Sequence, residues 1–435
     1  MSPSLSDPLD LNPGARRRAV RSVLARPAGE TPERLLSFRS AESFETSEPP
    51  RLDWARLEER AQAMAEERSG LPLLLALFDR IPAEERRAKA FAQGAFHSWA
   101  FCEWLIETSH ELSQSDAFRA EEQARLATEI ADGLEPVRYG AALVHDLRAR
   151  AQVCLGETLR HRSDLWGADD AFSRAEALLD EGTGDTLETG YLLEARASLR
   201  RDQQRLAEAH RLADESISIY RRHRELHLLG RAFVDKGKTY AAEHDLEAAI
   251  HWMRKGLGLL DPTRERRFEL GARLGLMLCL LESGRAQEAG FLLRASRSEF
   301  EVHAGELLGL RFRWLEGKVQ HSLGELDEAE RSLAEVRRGF IERGLGFDAA
   351  GASLDLAGLY GAQGRAVEMR RVAEEMLPIF RSQDLHREAI AALIVFQQAV
   401  RMERMSADFL REIRHYLERA RKDNRLRFEY TGEPD

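Results

Sequence analysis

The chain has 435 residues, of which 43% are hydrophobic and 32% charged, and a formal net charge of −10. That length holds two or three ordinary domains or one long repeat array, and the acidic balance gives no general reason to expect nucleic-acid binding. Cys102, Cys154 and Cys279 stand far apart, with neither CxxC nor Cys/His spacing, so they read as small buried side chains in a reducing compartment.

Residues 1–50 carry seven of the thirteen prolines (Pro3, Pro8, Pro13, Pro27, Pro32, Pro49 and Pro50) among Ser, Gly and charge. Such a stretch buries too little apolar surface to offset its ordering entropy, and it is expected to be largely disordered. Within it, residues 15–25 (ARRRAVRSVLA) fit a short basic helix, read as a solvated charge cluster rather than a docking arm. No apolar core of a secretory signal is present there, and the longest early apolar run, residues 71–78 (LPLLLALF), is too short to span a bilayer. A cytoplasmic protein without membrane contact is the expectation.

From residue 52 the pattern turns helical. Trp54, Leu57, Ala61 and Met64 form a stripe over residues 52–67, and Ser69-Gly70 reads as a break before the apolar run. Pro82 then sits near the start of an expected long helix, residues 84–111, where its missing N–H is harmless. Phe91, Phe96, Trp99, Phe101, Trp104 and Leu105 on that stretch read as core. A partner helix over residues 116–132 ends at Gly133, and residues 51–136 together are expected to form an N-terminal cap of degenerate helix pairs.

The next segment repeats itself. Ala168, Ala209, Ala249, Ala289, Ala329 and Met369 are spaced by 41 and then four times by 40 residues. Twelve residues before them stand Gly156, Ala197, Gly237, Met277, Gly317 and Ala357. Four residues after them stand Phe172, Ala213, Met253, Leu293, Leu333 and Ala373, and seven after, Ala175, Ser216, Gly256, Ser296, Val336 and Met376. Small and apolar residues at these offsets are what two tightly crossed antiparallel helices require. Gly or Asp marks the breaks at Asp164, Asp202–Gln204, His244-Asp245, Gly284, Gly324 and Gly364. No segment alternates with period two, so the fold is expected to be all-α. Six repeats are expected over residues 137–382, followed by a C-terminal capping pair (383–422, with helices at 387–403 and 406–421) and a loose tail (423–435).

Gly, Tyr, Ala, an apolar residue and a small residue at places 8, 11, 20, 24 and 27 make up the tetratricopeptide (TPR) signature. Gly237, Tyr240, Ala249, Met253 and Gly256 match it, as do Gly156, Ala168, Phe172 and Ala175; Gly317/Ala329/Leu333 and Ala357/Tyr360 match in part. The chain therefore resembles a TPR protein over about 245 residues, although the usual unit is about 34 residues and this one is 40. HEAT and armadillo repeats share the longer period but not this grid. The extended unit is similar to those of Pins-type polarity adaptors and of MalT-type and peptide-sensing bacterial regulators. The resemblance implies a right-handed α-solenoid and protein–protein interaction.

It also implies a concave face formed by places 2, 5, 9, 12 and 13 of each first helix. Those thirty slots hold seven Lys or Arg against four Asp or Glu. The groove residues inferred in this way are Arg150, Arg160, Arg201, Arg231, Lys238, Leu274, Leu278, Leu281, Arg311, Trp314, Lys318 and His321. They suit a peptide or partner segment with acidic and apolar residues, each buried side chain contributing roughly 1.5–3 kcal/mol. The lysine/asparagine clamp of chaperone-tail receptors is excluded, because the only asparagines, Asn12 and Asn424, lie outside the repeats.

Catalytic readings fare poorly. His223 and His227 (HRELH) are four apart but lack the glutamate of HExxH, and read as two exposed histidines on a polar helix. Gly182-Thr183-Gly184 and Gly256-Leu257-Gly258 have no preceding strand and no GK[ST]. The expectation is a non-enzymatic adaptor without cofactor or metal. The alternative is a ligand- or peptide-responsive regulator acting through a separate effector.

Overall fold

The computed structural model describes residues 54–113, 116–381, 393–394, 396–397, 400, 407–420 and 426–427. The expected disordered segment 1–50 with its basic stretch, most of the 387–403 helix and most of the tail lie outside the described residues. All regular structure among the described residues is helical. The chain divides between Leu199 and Arg200 into two compact units, a cut that falls inside the helix Thr186–Asp202.

The first unit contains α1 (Trp54–Asp79), α2 (Arg86–Ala92), α3 (Trp99–Leu112), α4 (Ala117–Asp132), α5 (Pro136–Tyr139), α6 (Ala141–His161), α7 (Leu165–Asp180) and the start of α8 (Thr186–Asp202). Two sequence expectations fail here. The Ser69-Gly70 break does not occur, because both halves of α1 bury residues in the same core (Ala61 and Met64 on one side, Phe78 on the other) and the Ser69 hydroxyl donates to Glu66 O at 2.8 Å. The long helix over 84–111 is instead cut in two around a 3₁₀ turn at Gly94–Phe96, and α3 restarts with the Ser98 hydroxyl accepting the Phe101 N–H at 3.3 Å. The aromatic row is core as expected, with Phe78 edge-on to Phe101 at 5.2 Å, except for Phe91, which is 52% exposed.

The remaining helices follow the 40-residue register: α9 (Leu206–His223), α10 (Leu226–Ala242), α11 (Leu246–Leu257), α12 (Arg266–Glu282), α13 (Ala286–His303), α14 (Gly305–Leu323), α15 (Leu326–Glu342), α16 (Gly346–Ala362), α17 (Ala366–Arg381) and α18 (Ala407–Ala420). Within the second unit successive helices from α9 to α17 pack on one another, and α10, α12 and α14 each also touch the first helix of the next repeat. This is TPR-like solenoid pairing of antiparallel helices.

The turn inside each repeat is the same turn six times. Place 15 is left-handed in every copy: Ser163, Gln204, His244, Gly284, Gly324 and Gly364 have φ between 60° and 82°. The next N–H then reaches back across the helix end, as in Asp164 N→Leu159 O (2.9 Å), Asp245 N→Tyr240 O (3.0 Å) and Arg365 N→Tyr360 O (2.9 Å). This bond satisfies a carbonyl that the helix end leaves orphaned. Asp164 and Asp245 then cap the following helix through their side chains, to Gly167 N at 2.9 Å and Ala248 N at 3.0 Å.

The small-residue grid does what its spacing predicts. Ala168, Ala209, Ala249, Ala289 and Ala329 are all fully buried. A Cβ on Gly237 would lie 2.7 Å from Met253 Cγ and 3.0 Å from Ala249 O, and one on Gly256 2.6 Å from Gly230 O. α10 and α11 are thus closer than any side chain at those places would permit.

Candidate functional site

On the first-helix face of the second unit lies a cavity of about 260 Å³. Its walls are Leu274, Leu278 and Glu282 on α12, Arg311, Trp314, Leu315 and Lys318 on α14, and Phe347, Asp348, Gly351 and Leu354 on α16. α18 adds Arg414, Leu417 and Glu418 to the walls. The 40-residue repeat brings equivalent faces of α12, α14 and α16 together, which is why residues so distant in sequence share one wall.

Trp314 is held on several sides. Its indole N–H donates to Asp355 Oδ2 at 2.7 Å, its ring meets Phe340 edge-on at 5.6 Å, and its outer edge lies where a Cβ on Gly351 would be, 2.6 Å away. Asp355 is nearly buried, and its other carboxylate oxygen receives Arg414 from α18. One carboxylate therefore ties α14, α16 and α18 together with two hydrogen bonds, one of them also an ion pair. Beside the cavity Glu282 is held above the usual carboxylate range, first by desolvation; Lys318 opposes this and Glu418 adds to it.

Of the twelve groove residues inferred from sequence, Leu274, Leu278, Arg311, Trp314 and Lys318 line this cavity. Leu281 is half-buried against the core between the third and fifth repeats, and His321 is half-buried outside the cavity walls. Arg150 and Arg160 lie in the first unit, the former 3.5 Å from Glu188 and the latter 3.2 Å from Glu157. Arg201, Arg231 and Lys238 form a separate cluster in the second unit. Arg231 bonds Glu265 at 2.7 Å, Lys238 bonds Asp235 at 2.7 Å, and both cations stand over the Phe268 ring. Arg201 reaches the same Asp235 at 3.9 Å. Burial disfavours ionisation of Asp235, but Lys238 and Arg201 outweigh it and hold the carboxyl well below the usual carboxylate range.

The basic excess counted over the thirty slots is thus met by acids just outside them. Arg150 faces Glu188, Arg231 faces Glu265 and Arg311 faces Asp348 at 3.7 Å. The signal was readable: an acid stands 34 to 38 residues after each of these place-2 arginines, at the start of the next repeat's first helix. Sequence reasoning also missed Asp355 and the role of α18. Four of the five inner slots of the sixth repeat are Gly or Ala (Gly351, Gly358, Gly361, Ala362), the composition that a seat for another helix requires.

His223 and His227 do not share one polar helix as expected. Arg224 is left-handed (φ 56°) and separates the two histidines onto α9 and α10. His227 is buried rather than exposed, with Nδ1 accepting the Asp261 N–H at 3.0 Å. Among the described residues no group of three or more His, Cys, Asp or Glu is placed to hold a metal ion. The three cysteines are buried and free, and burial pushes the thiols of Cys154 and Cys279 up to about 12, so they are protonated at neutral pH. No helix among the described residues is long and apolar enough to cross a membrane.

No protein-family model and no curated protein matches the sequence. Among solved structures, a Rap protein complexed with competence and sporulation factor is similar at 12% identity and a TM-score of 0.42, over 69% of this chain and 98% of that one. The apo form of RapI is similar at 14% identity and a TM-score of 0.44, over 81% of this chain and 88% of that one. The likeness is distant, and the repeat pairing described above stands on the chain's own packing.

Proposed function

We propose that this protein is a non-catalytic interaction scaffold, cytoplasmic, whose second unit holds a peptide or partner-protein segment on its first-helix face. The observation that carries the reading is the cavity in which Leu274, Leu278, Trp314 and Lys318 converge. Its indole is pre-set by Asp355 and Gly351 and does not have to be ordered on binding. Leucine and tryptophan surfaces take an apolar side chain of the ligand, and Lys318 takes a carboxylate. Arg231, Lys238 and Arg311 serve mainly to neutralise neighbouring acids, so their share in attraction is small.

The extended repeat fits Pins-type adaptors and MalT-type or peptide-sensing regulators equally well. The seating of α18 on the cavity favours the regulated form, in which ligand binding changes what the scaffold presents to an effector. The test is affinity capture from host lysate with the wild-type chain and with Trp314→Ala/Lys318→Ala. A discrete partner lost in the variant at an unchanged melting temperature supports the groove, and a partner retained by the variant overturns it.

A further inference from the structure

The sequence pattern makes residues 406–421 a terminal cap; α18 shares the core of the sixth repeat, as a cap does, and extends beyond it. It packs on α16, the first helix of the sixth repeat, and reaches the walls built by α12 and α14. Phe409, Ile413, Tyr416 and Ala420 bury one side of it. Leu410, Arg414 and Leu417 run along the adjoining side, where Leu410 Cδ1 would touch a Cβ on Gly358 at 3.4 Å and Arg414 reaches Asp355. Leu417 and Glu418 face the cavity. The tilted contact of His415 with His244, 5.7 Å apart, places α18 beside the turn of the third repeat as well. The helix therefore lies across the inner face of several repeats, the place assigned above to a ligand.

We propose that α18 is an internal occupant of the binding groove, and that the external partner is an amphipathic helix of the same chemistry that binds by displacing it. The partner carries an arginine aimed at Asp355, with a leucine and a glutamate three and four residues later, as Arg414, Leu417 and Glu418 do. This spacing puts all three on one helical face. Asp355 supplies the orienting charge, Leu274, Leu278 and Trp314 receive the leucine, and Lys318 stands nearby for the glutamate. The inference rests on the groove reading of the previous section. A tethered occupant competes at millimolar effective concentration, so the groove is closed to weak ligands and open only to a matched helix.

The probe is a fluorescent peptide with the sequence of residues 407–420, ADFLREIRHYLERA, added to the full-length chain. Arg414→Glu with Leu417→Asp releases α18, and the released chain is expected to bind the peptide at least about tenfold more tightly than wild type, as relief of tethered competition requires. Adding Trp314→Ala to the released chain is expected to abolish that binding. Equal binding to wild-type and released chains, or binding that survives Trp314→Ala, overturns the proposal. A measurement on the unmodified chain guards against misfolding of the variants: in hydrogen exchange the amides of α18 are expected to open well before those of α16. Exchange of α18 only together with the whole unit overturns the proposal, as does a concentration-dependent dimer in sedimentation, which would make a second copy's helix the occupant. Should α18 prove fixed while a native partner is still captured in a Trp314-dependent way, the internal-occupant inference fails and the groove reading stands.

Discussion

Glycines are used for opposite purposes in the third and sixth repeats. In the third, Gly237 and Gly256 close space: α10 and α11 cross so tightly that Met253 and the Gly230 carbonyl occupy the places of the missing Cβ atoms. In the sixth, Gly351 and Gly358 open space on the inner face, and what enters comes from elsewhere in the chain: the Trp314 ring from α14 and Leu410 from α18. Place in the repeat separates the two uses. In the third repeat places 8 and 27 face the paired helix, whereas in the sixth places 2 and 9 face Trp314 of α14 and Leu410 of α18. A small residue at the former builds the scaffold, and one at the latter makes a seat.

Substitutions can break this contrast, beginning with the most damaging. Ala249→Arg forces a charged side chain into the α10–α11 crossing and is expected to cost several kcal/mol, above about 4; an unchanged unfolding midpoint would show that the crossing is elsewhere. Gly237→Val, with its Cβ against Met253 Cγ, is expected to cost about 1–3 kcal/mol in denaturant titration. Gly358→Leu tests the seat. Global unfolding should shift by less than about 1 kcal/mol, since the neighbouring contact is the flexible end of one leucine, while limited proteolysis should cut near α18 far faster than in wild type. Equal protease resistance would mean that α18 does not depend on that space. Smallest of all, Gln204→Gly relieves a left-handed φ of 60° and is expected to stabilise by about 0.5 kcal/mol, the difference between relief of strain and added chain entropy. Destabilisation there would contradict the shared six-fold turn.

Much of this was legible in the sequence, because the repeat is a packing constraint written at fixed offsets. Ala249 with Gly237 and Met253 announces a helix crossing, and Gly284, Gly324 and Gly364 announce the turn. Less legible were features that depend on balance between distant residues. Ser69-Gly70 reads as a break until both halves of α1 are seen to share one core, and residues 84–111 read as one helix until the Ser98 cap competes for its backbone. Counting Lys and Arg over the inner slots gave a basic groove, because the acids that answer them, Glu188, Glu265 and Asp348, stand outside the slots counted. The position of α18 could not follow from its own amphipathic pattern, which serves a cap and a groove occupant equally; only Gly358, which faces it on α16, distinguishes the two.

The most direct test of the account is a double-mutant cycle on Asp355→Asn and Arg414→Gln in the full-length chain, followed by the protection of α18 and by unfolding. A seated helix predicts a coupling of at least about 0.5 kcal/mol, as for residues in one ion-pair network, with loss of α18 protection in either single variant. Additive effects, with α18 equally protected in all four proteins, would contradict it and leave α18 as an ordinary cap.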